Sequence, residues 1–486
     1  MLPNMEAVDV VVIGSGYGGS VPAARLAQGG MDVVVLERGP RWGTTDLKQS
    51  DDPRNIQRIV ELVVGSTNVA FRTGKMVGGA SVPMDGAHFR VPTKSFEARD
   101  PDGRRFWPSA CDRSTMDPFY EAAEQMLHIR QVAWSEVSRA GGLFTKMIDR
   151  VGGTVERARM NYADCLHCGF CATGCIYEKK WTMLQTYIPA AEAAGAEFRP
   201  GCGADHVEPD GTGWIVTYTQ DGVPKEIRGQ RVIVAGGGIH SPTFLLRSAP
   251  YIPGLSAQTG ENFNNNGEHA FLGILPPDFD DLSRYATYKG SDNAMVMCFH
   301  WFEDEGFSLH PGGGFEPSVY AAGLAAPDHA VLPARPWGMD YKRFVEATYR
   351  NRLIGFSALG LAPGHRAITI KGDGTPDIVE RDRTGTDAYL DRVEAVMADV
   401  SAQTGVTLIP STSRKLAGTT STHLLSACRM AESADDGVVD ANNQVFGAEN
   451  LYVCDASSIP YAIAVNPALT ITALSERCAA HILEVG

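Results

Sequence analysis

The stretch Val8-Asp-Val-Val-Val-Ile-Gly-Ser-Gly-Tyr-Gly-Gly19 decides which fold class the chain can adopt. Its first half is rich in β-branched residues, as expected of a parallel strand that is buried on both faces. Its second half is a Gly14-x-Gly16-x-x-Gly19 motif, followed by a predicted helix at 21–28 and a second buried strand at 32–36. Strand, glycine turn, helix and strand in this order predict an α/β fold with a Rossmann-type parallel sheet covered by helices on both faces.

The glycine motif fits the pyrophosphate of a dinucleotide. Gly14 allows the tight turn, Gly16 lets the backbone approach the pyrophosphate, and Gly19 allows close packing of helix on strand. Glu37 ends the second strand, where a carboxylate binds ribose hydroxyls. These residues do not distinguish FAD from NAD, and a glycine turn without a ligand is the alternative interpretation.

Composition limits the classes of partner. The chain has 486 residues, enough for two or three domains, and a net charge of −14, which disfavours nucleic acid. No apolar run reaches the ~20 residues of a membrane span, and the first residues lack a signal-peptide pattern. The sequence therefore predicts a cytoplasmic protein without a transmembrane segment.

Seven motifs, in order along the chain, connect this sequence to a known family. It resembles the glucose–methanol–choline (GMC) oxidoreductases, flavoenzymes that oxidise alcohols, and especially the cholesterol-oxidase-like and long-chain alcohol oxidase-like members. The motifs are residues 14–19, Gly74-Lys-Met-Val-Gly-Gly-Ala-Ser81, Val234-Ala-Gly-Gly-Gly-Ile-His-Ser-Pro242, Cys428-Arg-Met430, Gly437-Val-Val-Asp440, Asn450-Leu-Tyr-Val-Cys-Asp-Ala-Ser457 and Val465-Asn-Pro-Ala-Leu-Thr470.

The resemblance implies a discontinuous FAD-binding domain, residues 1–267 and 411–486, which includes a cysteine-rich loop at 160–180. Residues 268–410 would form an inserted α+β substrate-binding domain with an antiparallel sheet. Family members that attach FAD covalently often carry a histidine where this chain has Val82 and Pro83, so FAD is expected to bind non-covalently. The implied FAD contacts are Gly14, Gly16, Tyr17, Gly18, Gly19, Glu37, Gly74, Gly78, Gly79, Ser81, Val207, Asp455, Ala456, Asn466 and Pro467.

The resemblance also assigns the catalytic pair, His423 and Asn466. His423 would accept the proton of the alcohol hydroxyl, because a histidine titrates near neutral pH. Asn466 would donate a hydrogen bond to the same oxygen. A histidine that only packs in the interior is the alternative. The family's usual His-Pro-x-Gly is His423-Leu-Leu-Ser426 here, which leaves the identity of the substrate open.

Four cysteines lie within eleven residues, as Cys165-x-x-Cys168-x-x-Cys171-x-x-x-Cys175. This is the spacing of bacterial ferredoxins, although Ile176 stands where those proteins have proline. An iron–sulfur cluster, a zinc site and plain buried thiols are all compatible with the pattern.

The leading hypothesis is an FAD-dependent enzyme that oxidises the CH–OH group of a hydrophobic alcohol (a sterol, a long-chain alcohol, or a terpenoid or aryl alcohol). Oxygen, a quinone or another acceptor would reoxidise the flavin. A sugar or glycoside dehydrogenase, a non-redox lyase or isomerase that keeps FAD, and an electron-transfer module are the alternatives. The aromatic residues expected either to line the pocket or to form core are Phe299, Trp301, Phe302, Phe307, Phe315 and Tyr320.

Overall fold

The structure is a computed structural model. It describes residues 5–50, 52–66, 70–284, 286–287, 289–290, 294–312, 338–410 and 420–486. Phe315 and Tyr320 therefore lie outside the described residues.

Twenty strands are present in the described part of the chain. They are β1 (Glu6–Ile13), β2 (Val33–Glu37), β3 (Val60–Val64), β4 (Ala70–Gly74), β5 (Arg130–Gln131), β6 (Glu156–Arg157), β7 (Arg159–Met160), β8 (Glu197–Pro200), β9 (Cys202–Asp210), β10 (Gly213–Gln220), β11 (Val223–Val234), β12 (His269–Ile274), β13 (Val296–Met297), β14 (Phe307–Gly312), β15 (Leu353–Gly360), β16 (Arg366–Ile370), β17 (Pro376–Glu380), β18 (Thr407–Pro410), β19 (Thr420–Ser421) and β20 (Leu451–Val453).

Eleven α-helices connect these strands in the described residues. They are α1 (Tyr17–Gln28), α2 (Pro53–Ile56), α3 (Thr93–Phe96), α4 (Arg113–Met126), α5 (Arg139–Arg150), α6 (Tyr187–Ala193), α7 (Gly237–Ser248), α8 (Phe302–Glu305), α9 (Met339–Tyr349), α10 (Thr384–Thr404) and α11 (Ala468–Val485). Helix α1 begins at Tyr17, four residues before the predicted start at residue 21. Gly18 and Gly19 already belong to its first turn.

The larger sheet carries the predicted Rossmann-type core. Its strand order is β8-β2-β1-β11-β10-β9, with β20 also paired to β11. Strands β8, β2, β1, β11 and β20 are parallel, whereas β9 and β10 join by antiparallel pairing. Val10, Val11 and Val12 of β1 are fully buried, as the β-branched run predicts. The predicted α/β class is confirmed.

A second, antiparallel sheet has the order β14-β15-β12-β18. One face packs in a separate hydrophobic core against α10, which contributes Tyr389, Val393 and Met397. Strands β12, β14, β15 and β18 all lie between residues 268 and 410. The mixed architecture of a parallel sheet plus an antiparallel sheet is therefore the one that the sequence predicts.

Some hydrophobic cores contain residues from both sides of the expected domain boundaries. Helix α5 lies outside residues 268–410, yet its Phe144 and Met147 belong to the core of the antiparallel sheet. Conversely, Ile368 of β16 and Ile378 of β17 pack with Phe71 of β4. The division at residues 267 and 411 stays a proposal.

No helix among the described residues combines the length and the apolar character needed to cross a membrane.

Candidate active site

The glycine turn between β1 and α1 holds three glycines that the fold itself requires. Gly14 has φ +96°, and a Cβ there would lie 2.3 Å from the carbonyl oxygen of Ala235. A Cβ on Gly18 would lie 1.6 Å from the carbonyl oxygen of Cys454, and one on Gly19 would lie 1.9 Å from that of Gly14. These contacts pack α1 directly against its own sheet and against the chain after β20.

Gly16 differs from these three glycines. It has φ −74° and precedes the first helical residue, without a side-chain cap on the helix. A Cβ on Gly16 would meet nothing closer than the Cα of Gly79, at 3.8 Å. The packing of the protein therefore leaves space beside Gly16, at a helix N-terminus, where an anionic pyrophosphate is favoured.

The structure brings residues 74–81 onto this turn. The backbone N–H of Gly78 donates to the hydroxyl of Ser15 at 3.0 Å, and the Ser81 hydroxyl donates to the Gly78 carbonyl oxygen at 2.6 Å. A Cβ on Gly79, which has φ +53°, would lie 2.8 Å from the Cα of Gly16. Gly74 is equally tight, with 2.3 Å to the backbone nitrogen of Ala80. The two glycine-rich segments thus form one wall.

Glu37 stands at the end of β2, and one of its carboxylate oxygens is bonded to Ser15 in this wall. Its Oε2 accepts hydrogen bonds from the backbone N–H and the hydroxyl of Ser15 at 3.1 and 2.7 Å. Its Oε1 accepts the N–H of Gly39 at 2.8 Å and keeps a lone pair for a further donor. Burial raises the pKa of Glu37, while these hydrogen bonds oppose that shift. The carboxylate fits a ribose hydroxyl.

Asp455 uses its carboxylate within the protein. One oxygen accepts from the N–H of Gly237 at 2.8 Å and from the hydroxyl of Ser241, at the start of α7. The other accepts from the N–H and the hydroxyl of Ser457 at 2.8 and 2.6 Å. The carbonyl oxygens of Asp455 and of the buried Ala456 also accept hydrogen bonds within the protein, so the backbone N–H groups of these two residues are what remains for a cofactor.

Val207 lies in β9 and is fully buried, and its N–H donates to the Ser248 hydroxyl at 3.0 Å. This bond already uses the backbone donor of Val207. The cofactor contact of Val207 stays a prediction.

His423 and Asn466 come together from segments 43 residues apart in the sequence. The amide nitrogen Nδ2 of Asn466 lies 3.5 Å from Nε2 of His423. Both residues are buried, with 8% and 9% of their surfaces exposed. Pro467 follows Asn466 and precedes the first residue of α11, so the amide is held at a helix N-terminus. The predicted pair is adjacent in the structure.

The orientation of the Asn466 amide in the structure favours one tautomer of His423. An amide nitrogen can only donate, so the Nε2 atom that faces Asn466 is the unprotonated one. The ring proton is then on Nδ1, which lies 3.6 Å from Oε2 of Glu268. Glu268 also accepts a hydrogen bond from the Ser421 hydroxyl at 2.7 Å. The arrangement leaves a basic nitrogen lone pair at Nε2, and sequence reasoning missed Glu268 because it precedes β12 without a motif of its own.

A second histidine, His310 of β14, lies beside this pair. The Ser308 hydroxyl donates its proton to the Ala464 carbonyl oxygen at 2.6 Å, so His310 Nε2 is the donor in its 3.1 Å contact with Ser308. Burial lowers the pKa of His310 to about 3, and the nearby His423 acts in the same direction. His310 is therefore neutral, and a side-chain interaction with Asn466 places it beside the proposed catalytic pair. The sequence offered no signal for it, since β14 lies outside the matched motifs.

Tyr17 connects the glycine turn to the segment after Ser81. Its hydroxyl donates to the sulfur of Met84 and lies 3.4 Å from Nε2 of His88. His88 donates from Nδ1 to the Gly86 carbonyl oxygen at 2.8 Å, and burial lowers its pKa to about 4. His88 is thus a buried, neutral residue beside Tyr17.

The aromatic residues divide into core and wall. Phe307 is buried in the core of the antiparallel sheet, and Trp301 stacks on it with centroids 6.1 Å apart. Phe302 is also buried, but it packs edge-to-face on Phe299 at 6.3 Å. Phe299 in turn packs edge-to-face on Phe89 at 6.1 Å, and Phe89 packs on His310 at 5.9 Å. Phe299 and Phe302 therefore connect to His310 through Phe89, whereas Trp301 and Phe307 belong to the core of the antiparallel sheet.

The cysteine-rich loop contains no disulfide, because all ten cysteines are free. Within the described ranges, no group of three or more histidine, cysteine, aspartate or glutamate side chains is arranged to hold a metal ion.

Comparison with known proteins agrees with these features over most of the chain. Models of GMC oxidoreductases match residues 8–266 and 366–475. A cholesterol oxidase of Acinetobacter baumannii is 25% identical, over 99% of this chain and 95% of its own length. A 2-methyl-1,2-propanediol dehydrogenase of Mycolicibacterium austroafricanum is 25% identical, over 99% of this chain and 96% of its own length. The solved structure of pyridoxine 4-oxidase from Mesorbium loti aligns with a TM-score of 0.63 and 16% identity, over 97% of this chain and 98% of that one, which shows a common fold.

Proposed function

The chain belongs to the GMC oxidoreductase family, and from this premise we propose that it oxidises the CH–OH group of a hydrophobic alcohol with non-covalently bound FAD. The observation that carries the proposal is the pairing of His423 Nε2 with the amide of Asn466 in a buried site. Nε2 of His423 can accept the proton of an alcohol hydroxyl, and the amide of Asn466 can donate a hydrogen bond to the same oxygen.

The residues at the glycine turn fit FAD. Gly16 and the N-terminus of α1 would hold the pyrophosphate, and Glu37 would accept from a ribose hydroxyl. Backbone groups of Asp455 and Ala456 and the first turn of α11 would contact the rest of the cofactor. FAD, when bound, supplies the acceptor for the hydride that leaves the alcohol carbon.

His423 would act as the general base of the reaction. Its unprotonated Nε2 accepts the hydroxyl proton, which makes loss of hydride from the carbon easier. The ring becomes a cation in this step, and the carboxylate of Glu268 stabilises it from the Nδ1 side. Asn466 Nδ2 donates to the oxygen as negative charge develops there. His310, which stays neutral, adds no competing positive charge.

The preference for a hydrophobic alcohol rests on the walls of the site. Phe89 packs on His310 and Phe299 packs on Phe89. Leu424 stands where the family's histidine is usually followed by proline. The cholesterol oxidase relative acts on a substrate of this kind, and the diol dehydrogenase acts on a small alcohol. We accordingly infer the substrate class from the side chains of this chain. We also propose residues 268–410 as the substrate-binding domain, and oxygen or a quinone as the final electron acceptor.

Anaerobic flavin reduction tests the proposal. The purified protein is mixed without oxygen with a sterol, a long-chain alcohol, an aryl alcohol and a glycoside, and the flavin absorbance is followed. Bleaching by at least one hydrophobic alcohol supports the proposal. Bleaching by glycosides alone indicates a sugar dehydrogenase, and no bleaching by any alcohol indicates a non-redox enzyme; each of these results would overturn it.

A further inference from the structure

A run of three asparagines, Asn264 to Asn266, precedes β12 and has no role in the chemistry described above. Backbone hydrogen bonds join Asn264 and Leu425 in both directions, at 3.0 and 2.8 Å. Leu425 lies two residues after His423, and Glu268, two residues after the run, lies beside His423 itself. This short segment before β12 is therefore in contact with the segment that carries the proposed base.

The side chain of Asn266 binds the segment that leads to Asn466. Its Oδ1 accepts hydrogen bonds from the backbone N–H of Ile463 at 2.8 Å and from that of Ala464 at 3.0 Å. Its Nδ2 donates to the carbonyl oxygen of Val465 at 2.8 Å. One side chain thus binds three consecutive residues, and the last of them directly precedes Asn466.

The bound segment has a backbone conformation that its own sequence does not favour. Ala464 has φ +59°, in the left-handed region that residues other than glycine rarely adopt. Its N–H is bonded to Asn266, and its carbonyl oxygen accepts a hydrogen bond from the Ser308 hydroxyl at 2.6 Å. Such a conformation persists only where the surrounding structure fixes it, and here two side chains from other segments do so.

An asparagine is the residue type that suits position 266. Asn266 is fully buried and has φ +61°, which asparagine tolerates better than most residues. Its N–H donates to Oδ1 of Asn264 at 2.5 Å, and Nδ2 of Asn264 donates to the carbonyl oxygen of Ala362 at 2.7 Å. An amide combines, on one short side chain, an acceptor for two N–H groups and a donor for a carbonyl oxygen. A carboxylate would lack the donor, and an aliphatic side chain would lack both.

We propose that Asn266 is a positioning residue for alcohol oxidation, which fixes the place of the Asn466 amide relative to the imidazole of His423. The inference rests on the proposed function, in which both groups act on one alcohol oxygen. The segment 264–268 is bonded to Leu425, after His423, and to the three residues before Asn466. Because a displacement of about 1 Å between reacting groups can slow a reaction about 100-fold, these bonds matter for the rate and not only for the fold.

Two glycine variants separate this role from that of any buried asparagine. Asn266→Gly removes the three side-chain hydrogen bonds and leaves a residue that adopts a positive φ without strain. Asn443→Gly is the matched control, because Asn443 is also fully buried and has φ +68°. Its Nδ2 donates to the Val453 carbonyl oxygen at 2.8 Å and to the Ser458 hydroxyl at 3.1 Å, outside residues 463–466.

Crystal structures of the two FAD-loaded variants test the positioning without any substrate. In Asn266→Gly we expect residues 463–466 to shift, and the distance between Asn466 Nδ2 and His423 Nε2, 3.5 Å in the intact protein, to change by about 1 Å or more. In Asn443→Gly this distance should stay the same. An unchanged distance in Asn266→Gly would overturn the proposal. Asn266→Asp, which keeps the acceptor and loses the donor, takes the place of Asn266→Gly if that variant does not fold, with a change in the same distance expected.

Anaerobic flavin reduction gives the second readout. With an alcohol that bleaches the wild type, Asn266→Gly should lower the rate at saturating alcohol by about 10–100-fold while FAD content per chain is retained. In an Asn466→Ala background the same change should have little further effect, because the amide that Asn266 positions is already absent. Equal losses in the two backgrounds would overturn the proposal. If no alcohol bleaches the wild type, the proposed function fails, and the crystal structures alone decide whether Asn266 positions the amide.

Discussion

Glu268 Oε2 lies 3.6 Å from Nδ1 of His423, on the side of the imidazole opposite to Asn466. The carboxylate comes from the residue before β12 of the antiparallel sheet, and the histidine from the segment after β19. The proposed base therefore has an amide beside one ring nitrogen and a carboxylate at ion-pair distance from the other, although Nδ1 makes no hydrogen bond with the described residues. This contact joins the four-stranded antiparallel sheet to the segment after β19, a strand of the small sheet β19-β4-β3.

Replacing this carboxylate should slow flavin reduction while FAD stays bound. Glu268→Gln keeps the shape and an acceptor for Ser421 but loses the charge that stabilises the imidazolium. We expect flavin reduction at saturating alcohol to slow about tenfold, roughly 1.4 kcal/mol, with FAD content and thermal midpoint retained. Ser421→Ala, which removes the hydroxyl and leaves the charge, is the matched control and should have a smaller effect. Equal losses in the two variants would show that Glu268 acts only through packing.

Because there is space beside Gly16, a substitution there should weaken FAD binding without preventing folding. In Gly16→Ala the new Cβ makes only an ordinary contact with Gly79, so the protein should fold. Its affinity for FAD should fall at least about tenfold, because the methyl group occupies the space of the pyrophosphate. Fluorescence titration of the apoprotein with FAD measures this loss.

Gly18→Ala is the control for Gly16→Ala. Its Cβ would overlap the carbonyl oxygen of Cys454, and we expect a lower free energy of unfolding by about 1–3 kcal/mol. Normal FAD affinity in a folded Gly16→Ala protein would contradict the assignment of the glycine turn.

The FAD should be free to leave the denatured protein. Val82 and Pro83 offer no nucleophile to attach it, and the nearest histidine along the chain, His88, uses both ring nitrogens in contacts with Gly86 and Tyr17. Acid precipitation should therefore release all of the yellow colour into the supernatant. Flavin that stays with the precipitate would mean a covalent bond.

The buried, neutral His88 predicts how stability depends on pH. Its pKa is lowered to about 4 in the folded protein, mainly by burial, and is about 6.5 in an unfolded chain. Between these values only the unfolded chain takes up the proton, so the free energy of unfolding falls as the pH decreases from about 6.5 to 4. The slope from one such histidine is at most about 1.4 kcal/mol per pH unit.

The variant His88→Gln isolates this contribution from those of the other buried histidines. Urea unfolding at pH 7, 6 and 5, at saturating FAD, should show a smaller loss of stability with acidification in the variant than in the wild type. Parallel curves for the two proteins would mean that His88 is protonated in the fold.

The sequence was sufficient to predict the Rossmann-type sheet, because its strand and glycine turn are local patterns with one structural meaning. His423 and Asn466 could be paired only through the resemblance, since nothing in their local sequence indicates that they meet. Glu268 and His310 could not be found at all. They come from the antiparallel sheet, where pairing of distant strands, and not a local motif, sets the positions of side chains.

The cysteine-rich loop is a local motif whose spacing did not determine what it binds. The spacing alone left a cluster, zinc and plain thiols open. In the folded chain, no group of three or more histidine, cysteine, aspartate or glutamate side chains among the described residues is arranged to hold a metal ion. The buried Lys180 beside the loop donates to the carbonyl oxygens of Val82 and Met84, contacts that the cysteine spacing could not indicate.

The most direct test of the proposed base is anaerobic flavin reduction by the His423→Ala variant. One buried imidazole contributes little to so large a core, so the variant should fold and bind FAD. With an alcohol that bleaches the wild type, reduction should slow by about 10²–10⁴-fold, the usual contribution of a positioned acid–base group. Undiminished reduction in a folded, FAD-loaded variant would mean that His423 is not the base.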